Sequence, residues 1–496
     1  MANQPAPGAA PLSPAPQSAT LPPKAAYHRK GVVRSDLVAF AILFVFVAAV
    51  VAVDQLLKPA LQGPELMLAG IVLALAPAGL WLFMFYQLDS VEPEPVGDVA
   101  KIFIVGLALA AAVGIPLTND FFRVQDWLYR DMPTTVLGAV FIVGSVETFI
   151  VYATVRYFIY DEPDFDERSD GVIYGTAAGI GYATALNLQF ILSNGGAALG
   201  SGEIYVAEMA LAHAAFGGLL GYFLGKEKMQ HEPPWFLALG FVFAASLNGL
   251  FLLLRGQLET GTISITPTGA TSALPSMGGL LLSGAVAVLM SAAAAFLIAR
   301  DVRLTLAGRM PPRAADASAH DRLANLLVLV TFVTMLLVGA VSWNSAVNGT
   351  TPFTTSLVRG AYPSYFSQAG RPGQLFHVVN QQGSGEEYLI TASPAAAGQT
   401  LEQTATLLTV DRARRYAAYK VLESSRASVA GKQALMQRYD YVDSGGFGRT
   451  PLQVHEGIDY IVNSNGQNIV ISLLSTPDTL RGATPQFMRF VHSLSL

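Results

Sequence analysis

The sequence predicts an all-α polytopic membrane bundle of about nine transmembrane helices, followed by a soluble α+β domain with α/β/α sandwich-like layers. Three observations lead to this fold class. Hydrophobic residues make up 52% of the 496 residues and charged residues 13%, and the mean hydropathy is +0.44, which is typical of an integral membrane protein. Apolar stretches long enough to cross a bilayer recur up to residue 342. After residue 343, strand-like segments replace them.

Residues 1–33 are rich in Pro and Ala and then basic, so we expect a disordered cytoplasmic tail. The membrane domain is predicted over residues 34–342. Its apolar stretches lie at 36–57, 65–86, 101–118, 133–157, 171–193, 204–224, 235–254, 277–299 and 322–342.

The distribution of Lys and Arg predicts the orientation of these spans. With the N-terminus in the cytoplasm, fourteen Lys and Arg residues fall on the cytoplasmic side and four on the other. Cytoplasmic loops normally carry this excess. An odd number of spans then places residues 343–496 outside the cell as an extracytoplasmic domain.

This C-terminal domain is predicted from four strand-like segments and two helices. The segments EEYLITA, KQALMQRYDYV, HEGIDYIV and QNIVISLL are rich in β-branched and aromatic residues. The last two flank Asn463-Ser464-Asn465-Gly466, a good hairpin turn. Helices are expected near residues 400–416 and 477–493. We expect Arg412, Arg414 and Arg415 on a solvated helix face.

The net charge of −5 gives no reason to expect a nucleic-acid partner. The absence of cysteine excludes disulfides, thiolate metal sites and a cysteine nucleophile. A metal bound by histidine and carboxylate remains compatible with the composition.

A glutamate and a histidine lie deep inside apolar spans. Glu147 falls within PTTVLGAVFIVGSVETFIVYATVRYF, and His213 falls within VAEMALAHAAFGGLLGYFLG. Between them runs a glycine-rich span that carries Asn187. Because a charged group at bilayer depth costs roughly 3 kcal/mol or more, such residues usually mark function. The alternative is a hydrogen bond between helices with a purely structural role.

Acidic loop residues are expected to be solvated. One loop carries Glu92-Pro93-Glu94-Pro95, which should be extended because each Pro disfavours helix in the residue before it. The next acidic run ends at Asp170. Gly179 and Gly181 are expected to serve close helix packing.

Four blocks, in order, carry a family resemblance. They are QLDSVEPEPVGDVAKIFIVG, VGSVETFIVYATV, DGVIYGTAAGIGYATALNLQFI and LAHAAFGGLLGYFLGKEK. Residues 80–255 therefore resemble the PrsW family of intramembrane proteases, in the group that contains the CAAX-type prenyl-protein proteases. The resemblance implies a multi-pass protein of the bacterial plasma membrane that cleaves another membrane protein, in a site-1-like cleavage.

The resemblance also implies a site, and this sequence departs from it at several positions. Only Glu147 stands where the family has a pair of glutamates, Leu186 replaces the glutamate expected before Asn187, and Asn248 stands where a second histidine is expected. His213 matches. The implied catalytic residues are therefore Glu147, His213, Asn187 and Asn248.

Two mechanisms remain open for such a site. A divalent metal such as zinc would find only His213 and Glu147 as good ligands, fewer than the three of a typical catalytic site. Without a metal, Glu147 would act as base, with Asn187 and Asn248 as oxyanion donors, and His213 would orient the water or protonate the leaving amine. The alternative function is a catalytically degenerate relative that acts as a membrane binding or sensor protein through its outer domain.

The outer domain, from about residue 360, resembles the small sandwich of the PsbP and Mog1 group. The resemblance depends on Ala-Tyr-Pro-Ser-Tyr-Phe, the strand order and the closing segment MRFVHSLSL. It implies an extracytoplasmic ligand or partner rather than catalysis. We expect His455 and Glu456 to be surface residues on opposite faces of a strand.

Overall fold

The computed structural model describes 45–53, 56–57, 64–88, 94–193, 199–230, 232–259, 284–293, 296, 300, 318–370, 373–380, 386–416, 418–442 and 454–496. The predicted tail 1–33 lies outside these residues. So do parts of the predicted spans 36–57 and 277–299, and the loop residues Glu92 and Pro93.

The described residues of the N-terminal part form helices and the turns that join them. Its helices are α1 (Pro64–Leu88), α2 (Val96–Leu109), α3 (Val124–Trp127), α4 (Met132–Gly138), α5 (Ser145–Phe158), α6 (Arg168–Ser193), α7 (Leu199–Gln230), α8 (Trp235–Glu259) and α9 (Ser318–Asn348). Three π-helical turns, at Ala110–Gly114, Pro116–Phe121 and Ala139–Gly144, continue α2 and join α4 to α5. A shorter apolar helix lies at Gly284–Ala293.

Five helices of the described residues are long and apolar enough to cross a membrane. They are Val96–Trp127, Met132–Phe158, Gly202–Gln230, Trp235–Arg255 and Asp321–Asn348. The predicted helical membrane bundle is thus confirmed, whereas the count of nine spans is not. The predicted span 171–193 lies in α6, which is 26 residues long but carries polar and small residues along its length.

Glycine brings α6 and α7 into backbone contact. A Cβ atom placed on Gly175 would lie 2.2 Å from the carbonyl oxygen of Gly217, and one on Gly171 would lie 2.2 Å from that of Gly221. A Cβ on Gly179 would lie 2.1 Å from the carbonyl oxygen of His213. Only glycine permits this approach, so the predicted packing role of Gly179 is confirmed.

The C-terminal part is built on an antiparallel sheet. Its strands are β1 (Thr350–Thr354), β2 (Arg359–Pro363), β3 (Ser367–Gln368), β4 (Phe376–Val379), β5 (Glu387–Pro394), β6 (Ala418–Val429), β7 (Lys432–Val442), β8 (Val454–Ser464) and β9 (Gln467–Ser475). Strands β1 and β2 form a hairpin, and the other seven pair in the order β3-β4-β5-β9-β8-β7-β6. The four predicted strands correspond to β5, β7, β8 and β9.

One helix packs on each face of this sheet. Helix α10 (Leu401–Arg415) places Ala405 against Ile461 and Val470. Helix α11 (Pro477–His492) places Phe487 and other apolar residues against the opposite face. Neighbouring strand residues point to opposite faces, which explains how each strand serves both layers.

The β8–β9 turn confirms the predicted hairpin. Asn465 and Gly466 have φ of 52° and 71°, the left-handed pair that a type I′ turn requires. Ser464 pairs with Gln467 across the turn.

Two predictions about exposure in this domain are wrong. Arg412 is half-buried, pairs with the buried Asp459 and lies over the ring of Tyr439, whereas Arg414 and Arg415 are exposed as expected. Glu456 is buried and pairs with Arg438 on the neighbouring strand. In both cases an opposite charge on an adjacent element compensates for burial, which a single strand or helix pattern does not reveal.

The C-terminal domain is joined to the membrane helices by polar contacts. The Arg123 side chain, between α2 and α3, lies 2.9 Å from Glu386 and donates to the carbonyl oxygen of Gly482 at 2.7 Å. Gln486 donates to the carbonyl oxygen of Val347 at the end of α9. The membrane helices therefore contact the C-terminal domain at α11.

Candidate functional site

Three of the four predicted site residues meet inside the helical bundle. Glu147 lies on α5, His213 on α7 and Asn248 on α8. The Nε2 atom of His213 is 3.0 Å from Oε2 of Glu147, and Nδ2 of Asn248 donates to the same oxygen at 2.5 Å. Their exposed fractions are only 6%, 3% and 3%. We call these three residues the Glu147 cluster.

Close helix packing produces this convergence. A Cβ atom on Gly144 would lie 2.2 Å from the carbonyl oxygen of Ala245, so α5 and α8 approach closely there. Glu147 follows Gly144 by three positions, and Asn248 follows Ala245 by three positions. Each interval is nearly one helical turn. The contact of Gly179 with the backbone of His213 fixes α7 in the same way.

Three further neighbours contact the imidazole ring of His213. Its Nδ1 atom lies 2.9 Å from the carbonyl oxygen of Met209, one turn earlier in α7. The ring of Tyr182 stacks parallel to the imidazole, with centroids 5.9 Å apart, and Phe216 meets it edge-on. These contacts fix the orientation of the imidazole before any ligand enters.

Asn187 lies apart from these contacts. Its Nδ2 atom donates to the carbonyl oxygen of Val206 at 3.2 Å, and its Oδ1 atom has no hydrogen-bond partner among the residues that the structure describes. Val206 precedes His213 by seven residues, or about 10 Å along α7. The structure thus ties Asn187 to α7 about two turns from His213, and its predicted catalytic role stays a prediction.

Tyr182 is a residue that the sequence analysis missed. It is fully buried, and its hydroxyl has no partner within the described part of the chain. The sequence contained a signal for Tyr182. It follows Gly179 by three positions and therefore shares the face of α6 that packs on α7. A polar aromatic residue on that face was therefore a candidate neighbour of His213.

A second buried polar group lies at the start of α6, where solvated residues were expected. Asp170 is fully buried and accepts hydrogen bonds from the backbone N–H groups of Asp166 and Glu167 at 2.8 and 2.5 Å. Glu94 is also buried and accepts a bond from Tyr174 at 2.6 Å. Burial, together with the neighbouring Glu94 carboxyl, raises the pKa of Asp170 to about 9. The expectation of solvation is wrong for both residues, because packing around the start of α6 buries them.

Comparison with known proteins confirms the predicted resemblance. Residues 94–297 match the family model described as PrsW family intramembrane metalloprotease, a range that extends past the predicted end at 255. The Glu147 cluster and Asn187 all lie within this range. The family description makes a metal and a membrane-protein substrate plausible.

Several bacterial proteins named Protease PrsW are similar to this chain. That of Geobacillus kaustophilus is 28% identical over 180 residues, which cover 36% of this chain and 75% of that protein. That of Halalkalibacterium halodurans is 28% identical over 181 residues, covering 36% and 79%. That of Bacillus subtilis is 26% identical over 193 residues, covering 37% and 82%.

Among solved structures, the solution structure of cyanobacterial PsbP from Synechocystis aligns with a TM-score of 0.24 and 12% identity. It covers 30% of this chain and 92% of that protein. A Pseudomonas aeruginosa protein described as a putative regulator, PA94, aligns with a TM-score of 0.19 and 13% identity.

The residues present do not fit a typical catalytic metal site. No group of three or more His, Asp or Glu side chains suited to a metal occurs among the described residues. The cluster offers one imidazole and one carboxylate, and these are bonded to each other. Its third member, Asn248, is a neutral amide whose nitrogen faces the carboxylate.

Proposed function

We propose that the membrane bundle is an intramembrane endopeptidase of the PrsW type, which cleaves another membrane protein in a site-1-like cleavage. The observation that carries this proposal is the convergence of Glu147, His213 and Asn248 on one carboxylate oxygen inside the bundle. The three residues come from separate helices of the segment that matches the family. Buried ionisable residues of a membrane bundle usually mark function.

In this proposal Glu147 activates the water that attacks the peptide bond. His213 and Asn248 both bond to its Oε2 atom, whereas Oε1 has no hydrogen-bond partner among the described residues. A water on Oε1 would lose a proton to the carboxylate as its oxygen bonds to the scissile carbonyl carbon. That proton then passes to the leaving nitrogen as the C–N bond breaks, which yields a carboxylic acid and an amine.

His213, which lies 3.0 Å from the same carboxyl group, would orient the attacking water beside Glu147. Asn248 holds the carboxylate in place, and we assign Asn187 to joining α6 with α7 through Val206.

Terminal-peptide analysis of the membrane proteome tests the proposal. We would compare cells that produce the intact protein, Glu147→Gln, His213→Gln and the control Glu65→Gln, which alters an exposed glutamate of α1. New terminal peptides should appear with the intact protein and the control and vanish in both cluster variants. An identical peptide set in all four, at equal protein levels, would contradict proteolysis and favour the non-catalytic alternative.

For the whole chain we propose a bacterial plasma-membrane protein with a cytoplasmic N-terminus, a membrane domain at 34–342 and an extracytoplasmic domain at 343–496 that binds a ligand or partner. The excess of Lys and Arg on one side of the spans supports this orientation.

Because the chain has no cysteine, a single cysteine at the exposed position Glu402 gives a clean label. Labelling of whole cells by an impermeant maleimide is expected, and labelling only after lysis would contradict the orientation.

A further inference from the structure

The hydrogen bonds of His213 fix where its protons lie. Its Nδ1 atom faces the carbonyl oxygen of Met209 at 2.9 Å, and a carbonyl oxygen only accepts, so Nδ1 carries a hydrogen. The Nε2 atom faces Oε2 of Glu147 at 3.0 Å. Since Nδ1 is already the donor to Met209, a further proton must lie between Nε2 and the carboxyl group for that contact to be a hydrogen bond.

Asn248 contacts the same carboxyl oxygen. Its amide nitrogen donates at 2.5 Å to the Oε2 atom of Glu147 that also faces His213. All three side chains are more than nine-tenths buried, so they satisfy one another inside the bundle.

The same residues offer a metal too few ligands. The Nε2 lone pair is the only one that His213 can offer while Nδ1 stays bonded to Met209, and a metal there would have to displace the proton shared with Glu147. A catalytic zinc ion takes about three protein ligands. Asn248 stands where a third ligand would be needed, and its neutral amide is not one of the His, Cys or carboxylate groups that hold zinc.

We propose that the Glu147 cluster does not hold a catalytic metal, because it offers only His213 and Glu147 as ligands and Asn248 occupies the position that a third ligand would need. This inference deepens the proposed function, because it concerns the same site and makes the proposed hydrolysis independent of a metal. It sets this chain apart from the metalloprotease description of the family that it resembles.

Zinc binding to the purified full-length protein tests the inference without any assay of proteolysis. The protein, carrying an affinity tag without histidine, is equilibrated with zinc in detergent, washed and analysed for metal by mass spectrometry. The variants are Asn248→His, which adds an imidazole to the cluster, and the double variant Asn248→His with His213→Gln. The matched control is Asn187→His, an asparagine that contacts α7 at Val206, outside the cluster.

We expect background zinc in the intact protein and in the control, and about one zinc ion per chain in Asn248→His. The double variant should return to background. Zinc should also raise the melting temperature of Asn248→His and leave that of the intact protein unchanged. The melting temperatures without zinc show whether each variant is folded.

Stoichiometric zinc in the intact protein that is lost in His213→Gln would overturn the inference. So would a folded Asn248→His variant that binds no more zinc than the control. Terminal-peptide analysis separates this result from the proposed function. If the intact protein cleaves a substrate and also binds zinc, only the metal-free site is refuted. If it neither cleaves nor binds zinc, only proteolysis is refuted.

Discussion

At the scale of single residues, burial decides the chemistry of the acidic side chains. One acidic segment, which ends at the start of α6, contains the exposed Asp164 and the fully buried Asp170, six residues apart. Desolvation disfavours the charged form of a carboxyl group, and burial raises the pKa of Asp170 to about 9. Sequence composition treats these two residues alike.

We predict that Asp170 makes the folded protein less stable as the pH rises. Its pKa is about 9 in the folded protein against an ordinary value of 3.8, so between these values the folded state holds a proton that the unfolded state releases. Stability from this group is therefore full below its ordinary pKa of 3.8 and is lost as the pH rises toward 9. Thermal unfolding in detergent across the interval between these two pKa values should show a falling melting temperature.

Asp170→Asn should flatten this pH dependence, because the amide oxygen can still accept from the backbone of Asp166 and Glu167. Asp164→Asn is the control and should keep the slope of the intact protein. Equal slopes in all three proteins would show that Asp170 does not carry the effect.

At the scale of elements, two devices place the Glu147 cluster. One is glycine, which lets α6 touch α7, and α5 touch α8, through their backbones. The other is the π-helical turn Ala139–Gly144, directly before α5. A π turn accommodates an extra residue and rotates the helix that comes after it, and such turns occur often at functional sites. Glycine spacing is visible in the sequence, whereas the π turn is not.

We predict that Gly179→Ala destabilises the bundle, whereas Gly97→Ala does not. The added Cβ at residue 179 would lie 2.1 Å from the carbonyl oxygen of His213, and backbone atoms cannot move aside as a side chain can. Overpacking of this kind costs about 1–3 kcal/mol. A Cβ at Gly97 meets no atom within 4 Å, and alanine favours the helix by up to about 1 kcal/mol.

Thermal unfolding of the two glycine variants in the same detergent measures the difference. Because residue 179 touches the backbone of His213, Gly179→Ala should also reduce any proteolysis that depends on the cluster. An unchanged melting temperature for Gly179→Ala would contradict the close packing of α6 and α7.

At the scale of the whole molecule, Arg123 connects the membrane helices to the C-terminal domain. It pairs with Asp126 at 2.6 Å in its own segment and with Glu386 at 2.9 Å in the domain. Glu386 is 1% exposed. Arg123 has a φ of 48°, a strained value for a residue other than glycine, which the surrounding contacts must maintain.

We predict that Arg123→Met loosens the contact between the two parts. The change leaves the buried Glu386 carboxylate without this partner, which costs up to about 3–5 kcal/mol in a fully buried pair and less here because Arg123 is partly exposed. Hydrogen–deuterium exchange should increase around Gly482 in α11. Arg415→Met is the control, because its pair with Asp411 is exposed and contributes little.

Equal exchange at α11 in Arg123→Met and the intact protein would show that the domain is held by other contacts. The hydrogen bond from Gln486 to Val347 is then the next candidate.

Local patterns in the chain were sufficient to predict its division into an apolar helical part and a β-rich part, its principal strands and the two polar residues at bilayer depth. These features follow from local periodicity and from the high cost of placing a charge in lipid. The meeting of His213 and Asn248 at one oxygen of Glu147, 66 and 101 residues away along the chain, emerges only from the packed helices. Packing also buries Asp170 and half-buries Arg412, against expectation. Such contacts depend on how whole helices and strands pack, and no local pattern records the position of a partner so distant in sequence.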